Sequence, residues 1–467
     1  MLFLAGSPAP AHGGSWRHNN QSDRAWMALP LNRLKSSVAS PVFILLASEV
    51  VAKGAMFLSS IPISRLYTPA EMGVFGLYIS FATIISIVAG ISIQRALPLP
   101  RSDGKGFILL LIALGVIILT ALLTGLFFTV APASLLMAVG ADHLGSAGLV
   151  LPLAVLGWAG FPILQMWLSR TGRFSTLAWS KLSQVALLGG GQIAFGFLHL
   201  GGIGLALGDA LSRALVLAPF MLRVFRPAAK RLRKPERFTR VALKILMEYK
   251  RFPLIVTPTL LLHSIPAAIM PIAIGTHLGT TMAGYWTLSA YVTNAIFGIS
   301  VSFAPYLYSL WSKSVHSSGL LSPAYVIRSS RPLLVIAAAA GLGLGLAGPF
   351  LFTLIFGQEW VYAGQVAQIL SVSLAFQILG GPLILVLSVL NREGWNISMA
   401  VIWCALSGLV YYLIGAMELS LLQAAGLYAT VTCVVYVAYV VLALVAGHLS
   451  VQRKRGDHDP AFSAGAS

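Results

Sequence analysis

This chain is poor in acidic residues and in cysteine. Its 467 residues include 13 Asp and Glu, charged side chains of both signs make up 9%, and there are two cysteines. A soluble globular domain carries about a quarter charged residues, so an ordinary soluble protein is excluded. Disorder, a coiled coil and a disulfide scaffold are excluded as well, because 57% of the residues are hydrophobic. Cys404 and Cys433 stand in apolar runs and read as small core residues without redox or metal meaning. The sequence also has no G-x-x-x-x-G-K-[ST], H-E-x-x-H, C-x-x-C or G-x-S-x-G run and no clustered pair of carboxylates. That removes P-loop nucleotide binding and the commoner catalytic and metal constellations, leaving no catalytic residue and no metal site to name.

What is present is apolar sequence, in runs near the roughly 20 residues that a bilayer core requires of a helix. Twelve spans are predicted, at residues 41–63, 72–94, 107–131, 149–169, 182–199, 203–222, 253–275, 284–309, 332–356, 364–390, 395–416 and 425–447. The expected fold is therefore an all-α polytopic membrane protein of about 12 transmembrane helices. Orientation follows from the basic residues, which collect on the cytoplasmic side of a membrane. With the N-terminus inside, the loops that alternation assigns to the cytoplasm hold 28 of the 31 Lys and Arg, and Arg65 alone lies on the far side. Lys53 and Arg213 fall inside spans. One missed helix would invert every later loop, so this asymmetry supports an even number of spans with both termini inside.

Eleven of the cytoplasmic cations lie between Arg223 and Arg251, and this basic loop divides the spans six and six. The expected organisation is a cytoplasmic segment at 1–37, a six-helix lobe at 38–222, the basic loop at 223–252, a second six-helix lobe at 253–447 and a cytoplasmic tail at 448–467. The first 26 residues do not read as a signal peptide, either Met1 or Met27 is the natural start, and the tail beyond Ser450 is polar and expected to be disordered. Within the loop, Phe238, Val241, Ala242, Ile245, Leu246 and Tyr249 follow helical spacing while Arg240, Lys244 and Lys250 lie elsewhere on the wheel. The reading is a basic helix on the inner leaflet, either a topology anchor or a lipid sensor.

The two halves carry traces of one another. Thr68–Phe75 (TPAEMGVF) opens span two and Gly279–Trp286 (GTTMAGYW) opens span eight, 211 residues later. Val139-Gly140-Ala141-Asp142 and Phe356-Gly357-Gln358-Glu359 are separated by 217. With six spans per half, a duplication keeps its orientation, so a parallel repeat with a cavity between lobes is expected.

Ionisable groups inside spans are costly and face a cavity or one another. Glu49 and Lys53 in span one, and Asp209 and Arg213 in span six, share an i, i+4 spacing with the acid first. Each pair either neutralises itself as interhelical glue or presents its cation to an anionic substrate while the carboxylate holds it and titrates. Arg95 and Arg170, at the cytoplasmic ends of spans two and four, either anchor those ends or form the mouth of an anion path. Span seven carries Pro253, Pro258, Pro266 and Pro271, so a broken, hinge-like helix is expected at Pro258, Pro266 and Pro271; His263 lies among them. Asn294, Gln365, Gln368 and Gln377 either bond helix to helix or line a polar, sugar-binding cavity.

Several segments carry a family resemblance. Leu66–Phe75 (LYTPAEMGVF), Arg95–Pro100 (RALPLP), Gly172-Arg173-Phe174, Tyr249–Pro253 (YKRFP) and Phe356–Gly364 (FGQEWVYAG) resemble the Wzx-like polysaccharide flippases of the multidrug/oligosaccharidyl-lipid/polysaccharide exporter superfamily, over roughly residues 38–447. The resemblance implies a transporter, not an enzyme. It would move undecaprenyl-pyrophosphate-linked oligosaccharide from the cytoplasmic to the periplasmic leaflet of a bacterial inner membrane, by alternating access between two six-helix lobes, for cell-surface polysaccharide biosynthesis. Lys53 and Arg213 are then the candidates for holding the pyrophosphate. The resemblance implies no cofactor, H+ or Na+ as the coupling ion, and as partners membrane lipids, a polysaccharide polymerase and a chain-length regulator, but no nucleic acid. Family members often carry an acidic residue at the end of span two, where this chain has Gln94-Arg95. The competing readings are a cation-coupled drug exporter of the same superfamily and a membrane enzyme acting on lipid-linked sugars.

Overall fold

The computed structural model describes residues 41–232 and 235–456. The N-terminal segment 1–37 and the tail from 457 lie outside the described residues. Among the described residues every regular element is helical. The long helices are α1 (Pro41–Leu66), α2 (Pro69–Gly90), α3 (Asp103–Val130), α4 (Leu151–Arg170), α5 (Phe174–Phe197), α6 (Gly201–Leu232), α7 (Pro235–Glu248), α8 (Thr257–Leu278), α9 (Thr280–Ser302), α10 (Ala304–Ser318), α11 (Arg331–Phe356), α12 (Val361–Val389), α13 (Glu393–Ala416) and α14 (Leu421–Gly456).

Ten helical segments among the described residues are long and apolar enough to cross a bilayer, and the chain is a multi-pass membrane protein. The expected twelve included α1 and α5, which stand in the bundle outside those ten. The side chains of α1 are described only from Ser48 onward. In α5, Lys181, Gln184 and Gln192 dilute the apolar run, and the two glutamines are buried against neighbouring helices. A span that keeps its polar side chains inside the protein does not need to be apolar all round.

Local chemistry sets the helix ends. Thr68 and Glu71 form a reciprocal capping box at the start of α2, with Pro69 in its first turn. Ser102 caps α3 through the Lys105 amide. The predicted eighth span, 284–309, is interrupted. α9 ends at Ser302 and α10 begins at Ala304, with Pro305 in its first turn, because proline has no N–H to give and its ring clashes with the carbonyl four residues back. In the predicted seventh span, the irregularity is confined to a π-helical turn at Phe252–Val256. This wide turn accommodates Pro253 and delivers the chain to Pro258 in the first turn of α8. Beyond it α8 runs as one helix through Pro266 and Pro271, so these prolines do not break it.

Within the first half α5 packs on α1 and α6, and α4 on α3 and α6; within the second, α12 packs on α9, α11 and α14. The halves meet where α2 lies against α8 and α9. At the end of the bundle that carries the α1–α2 turn, the two pieces of the sequence repeat touch each other. A Cβ on Gly73 would fall 1.8 Å from the Thr280 carbonyl oxygen, and one on Gly284 would fall 1.7 Å from the Pro69 carbonyl oxygen. Gly73 and Gly284, like Pro69 and Thr280, are 211 residues apart. Each half thus offers the same glycine to the same carbonyl of the other, and only glycine permits that approach. Nearby, Trp360 Nε1 donates to the Ser64 carbonyl at 2.9 Å, and Ser64 Oγ donates to the Phe356 carbonyl at 3.4 Å. Gly140 (φ +69) abuts Thr276, and Gly357 (φ +111) abuts Arg65; both glycines take backbone conformations that side chains disfavour. At the opposite end, Thr257 Oγ1 donates to Ser92 Oγ at 2.9 Å and joins the halves.

Candidate functional site

The first half of the chain holds a buried polar centre. Asp209 on α6 is 3% exposed. Its Oδ2 accepts from Trp158 Nε1 at 2.7 Å and from Tyr78 Oη at 3.1 Å, and its Oδ1 pairs with Arg213 one turn further along α6. The Arg213 guanidinium lies 4.1 Å from the centroid of the Trp158 ring, a cation–π contact that adds to the ion pair. Its aliphatic stem fits because position 157 is glycine: a Cβ there would stand 2.8 Å from Arg213 Cβ. Ser212 Oγ donates to the Asp209 carbonyl at 2.7 Å and accepts from Gln184 Nε2 at 3.2 Å. α2, α4 and α6 are therefore tied through one carboxylate, which spends its acceptor capacity on protein donors, and α5 joins them through Ser212 and the Asp209 backbone carbonyl. A buried acid satisfied in this way fixes its cation in place.

The expected Glu49–Lys53 pair is not formed. Glu49 Oε2 instead accepts from Lys181 Nζ on α5 at 2.8 Å. An i, i+4 spacing brings two side chains onto one face, but a cation on a facing helix competes for the same oxygen. Here α1 packs against α5, and Lys181 wins. Lys53 makes no ion pair among the described residues. It is half-buried, and its Cε lies 3.5 Å from where a Cβ on Gly298 of α9 would be, so it stands where the two halves meet. One turn away, Tyr291 of α9 donates to the Met56 carbonyl of α1 at 3.1 Å. Asn294 shares the α9 face of Tyr291 and Gly298 by its i+3 spacing and is exposed. Of the three cations inside the first half's helices, Lys181 and Arg213 are each paired with a carboxylate, and Lys53 has none among the described residues.

The other predicted positions separate by role. Arg170 is a brace: it donates to the Leu97 carbonyl at 2.8 Å and to the Ser102 carbonyl at 3.4 Å, and pairs with Asp103 at 3.2 Å, fastening the α2–α3 connection to the end of α4. Arg95 lies in the 3-10 turn Ile93–Arg95 after the left-handed pair Ile91 and Ser92. It makes no ion pair among the described residues, and burial pulls its guanidinium below the ordinary arginine value. Gln368 Nε2 donates to the Gly345 carbonyl at 2.7 Å, which makes it α11–α12 glue. Gln377 is half-buried one turn from Gly381, whose Cβ would meet Phe297 of α9, placing it on the α12 face that meets α9. Gln365 is also half-buried on α12. Among the described residues no three His, Cys, Asp or Glu are placed to hold a metal ion.

Tyr78, Trp158, Tyr291 and the Glu49 partner Lys181 escape the sequence reading. Three are aromatic residues in apolar spans, indistinguishable from core by pattern. Lys181 stands near a basic loop and is counted with it.

No family model matches the chain, and no curated protein matches it. Solved structures do. An inward-facing multidrug resistance MATE family transporter of the MOP superfamily superposes with a TM-score of 0.62 at 16% identity, covering 88% of this chain and 99% of that one. The lipid II flippase MurJ in an inward closed conformation gives 0.62 at 12% identity, over 85% and 87% of the two chains. A MOP superfamily transporter from Pyrococcus furiosus gives 0.51 at 13% identity, over 88% and 95%. At these identities the likeness is one of fold.

Proposed function

We propose that this protein is a flippase that carries an undecaprenyl-pyrophosphate-linked oligosaccharide from the cytoplasmic to the periplasmic leaflet of a bacterial inner membrane, by alternating access between two six-helix lobes. The observation that carries the reading is the charge arrangement inside the bundle. Both acids inside these helices are engaged, the buried Asp209 by three donors and the part-exposed Glu49 by Lys181, while Lys53, where the halves meet, has no ion pair among the described residues. A diphosphate needs a cation that is not already neutralised, in a place shielded from lipid. The paired glycine contacts at offset 211 support a parallel repeat about a two-fold axis. With the basic loops inside, the end closed by the Gly73 and Gly284 contacts would face the periplasm. That the fold is shared with both an inward-facing transporter and a lipid II flippase supports transport as the class of activity.

A cation-coupled exporter of small molecules is the second reading, favoured by the equal likeness to the MATE transporter and by the buried carboxylate Asp209, a proton or sodium acceptor by chemistry. The two readings divide on the leaflet distribution of lipid-linked oligosaccharide in cells carrying the intact chain or the Lys53→Ala, Arg213→Ala double change at equal membrane abundance. Accumulation on the cytoplasmic side in the double variant supports the flippase. An unchanged distribution after deletion of the whole protein removes that reading and leaves the exporter.

A further inference from the structure

The helix that joins the two halves has a surface that neither reading uses. α7 follows α6 almost directly and ends at the π-helical turn before α8, and it packs on one face only. Ile245 is 2% exposed, and Leu246 and Tyr249 accompany it against the inner ends of α3 and α6. Glu248 at the edge of that face pairs with Lys105 of α3 at 3.1 Å, and Tyr249 contacts Phe252 in the π-turn with ring centroids 6.4 Å apart. On the opposite face, in order around the helix at 100° per residue, stand Lys250 just past the helix end, then Leu243, Met247, Arg240 and Lys244. All five are exposed, Leu243 at 57% and Met247 at 65%. Two large apolar side chains lie side by side and are flanked by cations on both sides.

Water does not favour that arrangement, but the headgroup boundary of a bilayer does: apolar side chains enter the acyl region while the flanking cations meet phosphates. The charge around α7 points the same way. Between Arg223 and Arg251 there are eleven Lys and Arg against Glu236 and Glu248, so 29 residues carry half of the chain's net +18. The one acid described in this region, Glu248, is already matched by Lys105.

We propose that the outward face of α7 is a docking surface for anionic phospholipid headgroups of the inner leaflet, with Leu243 and Met247 inserted and Arg240, Lys244 and Lys250 on the phosphates. The occupant is a lipid surface and not a soluble acid, because exposed leucine and methionine at the centre of the face give a polyanion in water nothing to bind. Docking here bears on the transport unit directly, since α7 is anchored to α3 on one side and runs into the π-turn of α8 on the other.

The test uses the full chain in nanodiscs, with Cys404→Ala and Cys433→Ala, and a nitroxide attached at Met247→Cys. Collision rates with oxygen and with a water-soluble nickel chelate are compared in phosphatidylcholine alone and in phosphatidylcholine containing phosphatidylglycerol. The expected result is a rise in oxygen and a fall in nickel accessibility when phosphatidylglycerol is present. High salt should weaken the effect in the unaltered surface, and Arg240→Gln and Lys244→Gln should each weaken lipid binding on the order of fivefold. A label that stays nickel-accessible in both lipids overturns the proposal. So does a salt-insensitive change, or a label shielded by soluble polyglutamate and not by phosphatidylglycerol. The salt dependence needs no charge variant, so a failure of those variants to fold does not protect the idea.

Discussion

The two halves of the chain share their glycine contacts at the seam, yet they solve the problem of polarity in the membrane differently. The first half places Glu49, Lys53, Lys181, Asp209 and Arg213 well inside its helices and ties four of them into pairs across or along helices. The second half has no Asp, Glu, Lys or Arg between Arg251 and Lys313, or between Glu359 and Arg392. It joins its helices through neutral groups instead, as in Ser289 Oγ donating to the Ala363 carbonyl at 2.6 Å and Gln368 to Gly345. The same seam is therefore compatible with a charged interior in one half and a neutral one in the other. A scaffold held together only by charge could not have lost it in one half and kept the same seam.

The largest expected effect lies in the charged half. Asp209→Ala leaves Arg213 buried without its carboxylate and should cost roughly 3–5 kcal/mol, read as a lowered midpoint in thermal unfolding of the purified protein. Adding Arg213→Met should restore most of that loss; a double variant as unstable as the single one would mean that the pair is not the unit. The seam comes next. Gly73→Ala and Gly284→Ala each drive a Cβ into a carbonyl of the other half, an overpacking cost of about 1–3 kcal/mol apiece. Their equality is the point: similar losses in stability sharpen the two-fold relation between the halves, and a loss at one position only breaks it.

Glu49→Gln is expected to cost less, about 1 kcal/mol, because the Glu49–Lys181 pair is part-exposed and partly screened. Lys53→Gln should then be nearly neutral for stability, since it has no acid to abandon. If Lys53→Gln were the more destabilising of the two, Glu49 would be pairing with Lys53 after all. The smallest effect has the opposite sign. Burial holds the Arg95 guanidinium below its ordinary value, so its charged form disfavours the folded state throughout the neutral pH range. Arg95→Gln should raise the unfolding midpoint slightly, by the equivalent of about 1 kcal/mol or less. A fall in the midpoint would show a stabilising partner for this side chain.

Much of the architecture is legible in the sequence because hydrophobic runs and basic loops are long-range signals. The predicted start at 332 lies next to Arg331, where α11 begins, and the basic loop contains a helix, α7, at Pro235–Glu248. What sequence spacing does not carry is choice of partner. The i, i+4 pattern is the same for Glu49–Lys53 and Asp209–Arg213, but only the second pair forms, because Lys181 faces Glu49 from another helix while Arg213 is locked onto Asp209 by Trp158. Proline content is an equally incomplete guide. Pro305 ends a helix, whereas Pro266 and Pro271 are absorbed in α8, where packing against α2 and α13 holds the helix. The repeat motif is visible in the sequence; that its two copies meet at Gly73 and Gly284 is visible only in three dimensions.

Lys53, which has no ion pair among the described residues and stands where the halves meet, is proposed to hold an anionic lipid headgroup. The most direct measurement is the affinity of the purified protein in nanodiscs for undecaprenyl pyrophosphate, unaltered and with Lys53→Gln. Loss of one charge-assisted contact is worth about 1.5–3 kcal/mol, so binding should weaken roughly 10- to 150-fold with an unchanged unfolding midpoint. Equal affinity in the two proteins would contradict the account and place the binding charge elsewhere.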